Sequence, residues 1–504
     1  MEMKRYLAIF ITLITLFGFI CVRLCYLADG IGTVTSGTYT QRLNIASRRG
    51  FIYDRNGVPA AGIKSGYITV IDPTKPGGNS FPHDVENLRK SIPYAIFTDK
   101  EYDDTYAYSV PFYTRYPAET GTPAAHIIGY INGDEIGVNG AEYYFNSYLS
   151  MSGGEMYLTY QADGLQNMFG GLPLFLYDNG YSGDSGIVLT LDIELQSAVE
   201  KMWKNLDIGK GAVVIADILT GDILVSASFP TFNTNNISAY LNSSEGEFIN
   251  RCGKGFTPGS VFKIITACAA LENHINYLYT SYECSGEYCY ANTAHGKINM
   301  SDAFAHSCNG YFYHLIDMIG IDRLNETAEK LGIGQNEYID MFRTGTGTLD
   351  MRVPRNAAIG QGGILCTPYE ITQLIRIVMN EGYYNDLRLF KGFYGNTFDE
   401  SDINGTQVIG KYTASALKRM MRTVVTDGIG RSAAGDKPLS ADIGGKTASA
   451  QSGQYDSDGT EIIHSWFAGY NGDLTITVLC EDNKTVTAAE VFAEVSRCID
   501  EVMK

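Results

Sequence analysis

The stretch Pro258-Gly259-Ser260-Val261-Phe262-Lys263 leads directly into the uncharged run Ile264-Ile265-Thr266-Ala267-Cys268-Ala269-Ala270-Leu271. It reads as a turn that opens a buried helix, with a serine at the N-terminal end and a lysine three residues on. That spacing places both side chains on one helix face, about one turn apart. Burial disfavours the charged form of a lysine, and a neutral amine can take a hydroxyl proton, so the pair is a candidate nucleophile and base. The unsatisfied N–H groups at the same helix end suit a developing oxyanion. Alone the pattern is weak. Ser415-Ala416-Leu417-Lys418 matches it as well and reads as a solvated helix face. Ser260 is preferred because Pro-Gly precedes it and an uncharged helix follows it.

Two further elements lie downstream. Ser307-Cys308-Asn309 comes just before Tyr311-Phe312-Tyr313-His314-Leu315-Ile316. A hydroxyl and an amide two residues apart can aim at one ligand from a turn; the plain alternative is a serine capping a helix. Lys446-Thr447-Ala448, inside Gly444-Gly445-Lys446-Thr447-Ala448-Ser449-Ala450, reads as an inner strand whose lysine and threonine can bind a carboxylate. Its alternative is a strand lysine pointing to solvent. A literal Lys64-Ser65-Gly66 precedes the other elements, lacks their context, and is set aside. The order and separation of the three elements match the S-x-x-K, S-x-N and K-T-G set of serine enzymes that react with β-lactams.

The rest of the 504-residue chain sets the frame for this chemistry. Hydrophobic residues make up 45% and charged residues 19%, a globular composition with capacity for more than one core. A formal charge of −18 and no run of basic residues argue against a nucleic-acid partner. Lys4 and Arg5 precede an uncharged apolar stretch, 6–22, which 24–27 extends beyond a snorkelling Arg23. Basic residues on the leading side predict a single anchor over 6–27, a cytoplasmic tip at 1–5, and the bulk of the chain outside the membrane. No convincing small-x-small cleavage site follows, so the segment reads as an uncleaved anchor.

Ten cysteines do not make a disulfide scaffold at this length, and no pair of CxxC motifs occurs, so no metal site is expected. Cys284 and Cys289 are near enough in sequence to bridge in an oxidising compartment, with their geometry open.

Between about 28 and 182 the chain is rich in Gly, Tyr and turn signals, with short β-runs such as 67–71. From 183 the texture changes. A strand at 186–191 precedes a helix over 193–206 with Asp192 as its N-cap. Apolar runs at 211–216 and 222–227, joined through Thr220-Gly221, predict a hairpin. A largely helical middle includes 369–380. Strands return at 443–450, 462–470 and 474–480, and a closing helix over 487–504 carries Val491, Phe492, Val495, Ile499 and Val502 on one face. Strands at both ends with helices between predict one α+β domain, 183–504, whose sheet combines the two ends.

On these motifs the sequence resembles the class B (monofunctional) penicillin-binding proteins, and the likeness extends along the chain. Arg49-Gly50-Phe51-Ile52-Tyr53-Asp54-Arg55-Asn56-Gly57, His126-Ile127-Ile128-Gly129 and Gly137-Val138-Asn139-Gly140-Ala141-Glu142 are similar to the family's pedestal motifs. So are Leu189-Thr190-Leu191-Asp192, Gly360-Gln361-Gly362 and His464-Ser465-Trp466-Phe467 to segments of its transpeptidase domain. The resemblance implies an anchor, a β-rich pedestal over 28–182, and a transpeptidase domain built as an antiparallel sheet with helices on both faces. It implies that Ser260 attacks the D-Ala-D-Ala carbonyl of a peptidoglycan stem peptide and that β-lactams acylate the same serine. Lys263 would be the base, with Ser307 relaying a proton to the leaving amine. Asn309 would hold the substrate amide, and Lys446 and Thr447 its carboxylate. The N–H groups of Ser260 and Ser449 would form the oxyanion hole. The implied partners are stem peptides, β-lactams and a SEDS-type (RodA/FtsW-like) glycan polymerase, with no metal or organic cofactor.

One departure stands out. The third motif ends in Ala448 where the family has glycine; a methyl group there can crowd substrate or drug, but activity is expected to survive because the serine and both lysines remain. That substitution supports an alternative reading, a catalytically impaired penicillin-binding scaffold or sensor. A D,D-carboxypeptidase and a β-lactamase are further alternatives. The pedestal-like motifs count against both, and no class A-type Glu-x-x-Leu-Asn segment is present.

Overall fold

The computed structural model describes residues 10–25, 39–75, 77, 81, 91–117, 121–168, 174–275, 280–396, 405–438, 440–455, 458–481 and 486–503. Of the anchor expected over 6–27, residues 10–25 form a helix with all side chains exposed. Residues 6–9 and 26–27 and the tip at 1–5 lie outside the described residues. Among the described residues, no helix is long and apolar enough to cross a membrane.

The chain packs as two compact units whose segments interleave in sequence. The first takes residues from 1–49, 63–114 and 150–184; the second takes 50–62, 115–149 and 185–504. Segments 50–62 and 115–149, read from sequence as pedestal, therefore pack with the second unit. The first unit is β-rich. One antiparallel sheet joins Tyr39–Ser47, Glu155–Ala162 and Phe175–Asn179, and another joins Tyr94–Thr98, Ile63–Ile71 and Ala107–Thr114. Glu155–Ala162 alternates half-buried and buried positions, as a strand with one covered face should. Its buried set, Met156, Leu158, Tyr160 and Ala162, joins Ile45, Val70, Val110 and Tyr181 in one small core.

The main elements of the second unit, in chain order, begin with helix α1 (Ile193–Asn205) and strands β1 (Lys210–Asp217) and β2 (Ile223–Phe229). Helix α2 (Lys263–Glu272), strands β3 (Ser281–Cys284) and β4 (Gly296–Asn299), and helix α3 (Asn309–Ile319) follow. Then come helices α4 (Pro368–Met379) and α5 (Lys411–Thr426), strands β5 (Ile443–Tyr455), β6 (Glu461–Asn471) and β7 (Leu474–Glu481), and helix α6 (Ala488–Val502). Five strands form a sheet in the order β2-β1-β7-β6-β5, antiparallel throughout. The two ends of the domain thus share one sheet.

β1 is buried on both faces, which explains its continuous apolar run. Val213 and Ile215 face a core built with Leu195, Val199 and Trp203 of α1 and Val491, Phe492 and Val495 of α6. Ala212 and Val214 face the larger core of α2, α3, α4 and α5. Asp192 caps α1 as expected, accepting the Leu195 N–H at 3.0 Å. Asp192→Ala removes that cap and should cost about 1 kcal/mol in a denaturant titration.

Candidate active site

The serine-bearing segment is not α-helical at its start. Gly259–Phe262 forms a 3₁₀ turn that runs into α2 at Lys263. In a 3₁₀ turn residues i and i+3 eclipse, so Ser260 and Lys263 share one edge. Gly259 sits at φ +52°, and a Cβ there would meet the Cβ atoms of Ala450 at 2.9 Å and Ala448 at 3.4 Å. Glycine is therefore needed for both conformation and space, and its closeness to β5 brings Ser260 beside that strand. From the other side, Gly259 N–H donates to the Gly360 carbonyl at 3.0 Å. A Cβ on Gly360 would overlap the Gly259 carbonyl oxygen at 2.3 Å. Trp466 Nε1 donates to the Thr257 carbonyl at 3.0 Å, tying the approach to Ser260 onto β6.

Four of the expected residues converge through hydrogen bonds. Lys263 Nζ lies 2.8 Å from the Ser307 carbonyl, 2.7 Å from Asn309 Oδ1 and 3.1 Å from Ser307 Oγ. Lys446 Nζ reaches the same Ser307 Oγ at 3.1 Å and the Thr447 carbonyl at 3.0 Å. The Ser307 hydroxyl thus stands between two amines. Ser307 adopts φ +55°, a left-handed conformation that a side-chain-bearing residue holds only when its surroundings fix it. It is not the helix cap. Cys308 caps α3, its sulfur accepting the Tyr311 N–H at 3.5 Å. Asn309 Nδ2 donates to the Tyr288 carbonyl at 3.0 Å. The Ser260 hydroxyl makes no hydrogen bond within the described residues, and it is half-buried.

Both lysines are fully buried, and no carboxylate pairs with either among the described residues. Burial pushes Lys263 down to about 7, against the opposing pull of the Cys308 and Cys289 thiols. Lys446 is also held well below the ordinary lysine range, first by burial and then by the nearby Lys263.

β5 is the edge strand of its sheet, with no strand on its outer side among the described residues. Lys446, Ala448 and Ala450 are buried, whereas Thr447 is half-buried and Ser449 exposed. Thr447 Oγ1 is a buried atom without a hydrogen-bond partner in the described structure. An unsatisfied buried hydroxyl on an open edge strand is what a ligand would complete. The Ala448 methyl does not share the face of Thr447 and Ser449. It lies on the buried side, against Gly259.

The two decoys stand apart from this cluster. Ser415 is exposed on α5 and Lys418 pairs with Asp442 at 3.1 Å; Lys64 is exposed and bonds Tyr67. Sequence reading missed a different group. Cys284, Cys289, His295 and Cys308 bring three sulfurs and a ring nitrogen within 4.8 Å of one another, where no metal ligands were expected. The absence of CxxC pairs hid it: Cys284 and Cys289 were read as a pair that could bridge, and Cys308 as the middle of the second motif. Cys284 and Cys289 are free thiols with sulfurs 3.6 Å apart, not a disulfide.

An antiparallel sheet between two helical layers, with a serine turn, two buried lysines and an open edge strand around one hydroxyl, is the frame of the penicillin-recognising serine enzymes. The penicillin binding protein transpeptidase domain matches residues 211–497, and the chain belongs to that family, among its class B members. It is 24% identical over 431 residues to the peptidoglycan D,D-transpeptidase MrdA of Escherichia coli, covering 67% of this chain and 65% of that protein. Stage V sporulation protein D of Bacillus subtilis is 26% identical over 394 residues, covering 72% of this chain and 59% of that protein. The chain thus spans less than two thirds of the length of these curated relatives. Its fold is similar to a chain solved in work on the coordination of polymerization and crosslinking by a peptidoglycan synthase complex. That pair has a TM-score of 0.69 and 22% identity, over 98% of this chain and 97% of the other. The D,D-transpeptidase domain of a peptidoglycan glycosyltransferase from Eggerthella lenta gives a TM-score of 0.65 at 20% identity, over 91% and 99%.

Proposed function

We propose that this chain is a peptidoglycan D,D-transpeptidase that cross-links stem peptides through a Ser260 acyl-enzyme. The observation that carries the reading is the pair of buried lysines, neither matched by a carboxylate, converging on one serine hydroxyl. A neutral Lys263 has two N–H groups and one lone pair. The Ser307 carbonyl and Asn309 Oδ1 can only accept, so they take the N–H groups and leave the lone pair for a hydroxyl proton.

In the proposed reaction Ser260 Oγ attacks the D-Ala-D-Ala carbonyl while its proton passes to Lys263. The N–H groups of Ser260 and Ser449 receive the oxyanion. Collapse breaks the peptide bond, and Ser307 gives its proton to the departing D-alanine amine and takes the one held on Lys263, which returns to the neutral form. The amine of a second stem peptide then attacks the ester, forms the cross-link and restores Ser260. Asn309 holds the donor amide. The terminal carboxylate lies against Lys446 and Thr447, and its charge lets Lys446 keep a proton that burial otherwise disfavours. Thr447→Val removes the orphaned hydroxyl and should weaken donor binding about tenfold, seen as a raised KM with little change in kcat.

The membrane assignment belongs to this proposal: a single N-terminal anchor over 6–27, with the remainder outside. Its support is the uncharged stretch behind Lys4 and Arg5. A SEDS-type glycan polymerase is the proposed partner, supported by the fold's likeness to a chain from a peptidoglycan synthase complex. The test is to label the full chain with a fluorescent penicillin, map the adduct, and supply a donor stem peptide with and without an acceptor amine. Adduct on Ser260 and acceptor-dependent product are expected. Release of D-alanine alone would mean a carboxypeptidase, rapid turnover of penicillin a β-lactamase, and no adduct a silent scaffold.

A further inference from the structure

We propose that Tyr288, Tyr313 and Arg355 form a subsite for a carboxylate in the donor stem peptide, upstream of its D-Ala-D-Ala end, and so select acidic donors over amidated ones. The inference rests on the transpeptidase reading above and gives it a specificity. Asn309, Tyr313 and Asp317 are spaced four residues apart on α3. Each such step climbs about 6 Å and drifts about 40° around the helix, so the three form one row. The row starts at the amide that holds the donor and ends about 12 Å away.

Two other segments complete the row. Tyr288 lies in the loop between β3 and β4; its carbonyl accepts the Asn309 Nδ2 N–H at 3.0 Å, and its ring meets that of Tyr313 edge-on, centroids 5.4 Å apart. Arg355 comes from the short helix Pro354–Ala358, and its Nη2 donates to Asp317 Oδ2 at 2.9 Å. The Arg355 charge acts on both tyrosine hydroxyls, so the guanidinium stands beside the ring pair. The active site and this row share their supports. The Ala358 carbonyl accepts the Thr266 hydroxyl of α2 at 2.8 Å, and the Gly360 carbonyl accepts the Gly259 N–H beside Ser260. Arg355 is thereby held in register with the nucleophile without touching it.

Exposure and charge suit an anionic peptide. Tyr288 is 42% exposed, and the side chains of Arg355 and Asp317 are 54% and 51% exposed. An ion pair this open contributes little to stability, so the fold does not depend on Arg355 staying with Asp317. A ligand carboxylate can take the planar guanidinium fork through two parallel bonds. With a net charge of −18, the protein surface as a whole repels an acidic peptide, and a cation in the donor's path offsets that locally. An extended chain advances about 3.5 Å per residue, so about 12 Å is two residues and a side chain beyond the held amide. The tyrosine pair floors the stretch between.

The test uses the full chain in detergent and two penicillins whose 6-amino group carries a short peptide. The second residue back from that amide is glutamate in one probe and glutamine in the other. The wild type should be acylated about tenfold faster by the glutamate probe. Arg355→Gln should bring the ratio near one. Asp317→Asn, which removes the competing carboxylate, should raise it, and added salt should lower it. Arg497→Gln, on α6 across the sheet, should keep the wild-type ratio. A second arm needs no chemistry at Ser260: the Ser260→Ala variant is titrated by NMR with the matching free peptides ending in D-Ala-D-Ala. The same preference is expected there, and its loss on adding Arg355→Gln. That arm reads the subsite even in a chain that forms no cross-link, so failure of the transpeptidase reading and failure of the subsite are told apart. Equal rates and equal affinities for the two peptides in the wild-type background overturn the proposal. So does a preference that persists in Arg355→Gln, or a carboxylate effect confined to the KM of the acceptor.

Discussion

Replacing Lys263 with methionine slows penicillin acylation of Ser260 by about 10²- to 10⁴-fold, the usual worth of a positioned general base. Methionine matches the length of the buried stem without an amine. Burying an amine is costly, and its removal offsets part of the loss from leaving the Ser307 carbonyl and Asn309 Oδ1 without that donor. Lys263→Arg should not rescue the rate, because a guanidinium does not give up its proton. The pH profile separates base from scaffold. Burial holds Lys263 at about 7, and the neutral form is the active one. The wild-type rate should therefore level off above about pH 7 and fall as pH drops through that value, about tenfold per unit. A lysine at its ordinary value near 10.5 would instead give a rate still climbing in alkali, and that outcome would remove Lys263 from the role. Ser260→Ala gives no adduct at any pH.

Much of this was legible because the informative residues carry local signals. Asp192 and Thr487 cap the helices they precede, and the apolar run of β1 read as a strand, which the structure covers on both faces. Ser260, Lys263, Ser307, Asn309 and Lys446 were singled out from motif spacing; the fold joins the last four by hydrogen bonds, and a turn of 3₁₀ rather than α geometry leaves Ser260 and Lys263 on one edge. What escaped was tertiary. No local pattern tells that the Ser307 hydroxyl, rather than that of Ser260, is the one both amines reach. None tells that a hairpin loop and a helix cap thirteen residues beyond His295 gather four metal-type donors.

Ala448 illustrates the same limit. The sequence shows a methyl in place of glycine but not which way it points; strand alternation turns it away from the face of Thr447 and Ser449 and onto Gly259. Any pressure it exerts falls on the turn that carries Ser260.

The interleaving of the two units leads to the second large effect. Arg115→Met should destabilise the second unit by about 3–5 kcal/mol, read as a fall in its own unfolding transition. Arg115 pairs through Nε with Glu142, whose side chain is fully buried, and donates through Nη1 to the Gly50 carbonyl at 2.6 Å. The Tyr116 hydroxyl donates to the same carboxylate oxygen at 2.9 Å. Those contacts join 50–62 with 115–149 inside the unit that also holds Ser260. Without Arg115 the carboxylate keeps its burial and loses the ion pair that Arg115 supplies, and removing one partner of a buried pair costs more than the pair contributes. Arg115→Met combined with Glu142→Leu removes both charges and should recover most of the stability. If the single variant were as stable as the wild type, the pair would be incidental to packing. A loss that the double variant does not recover would trace instead to the bond from Arg115 to Gly50, and so to the join between the two early segments rather than to charge.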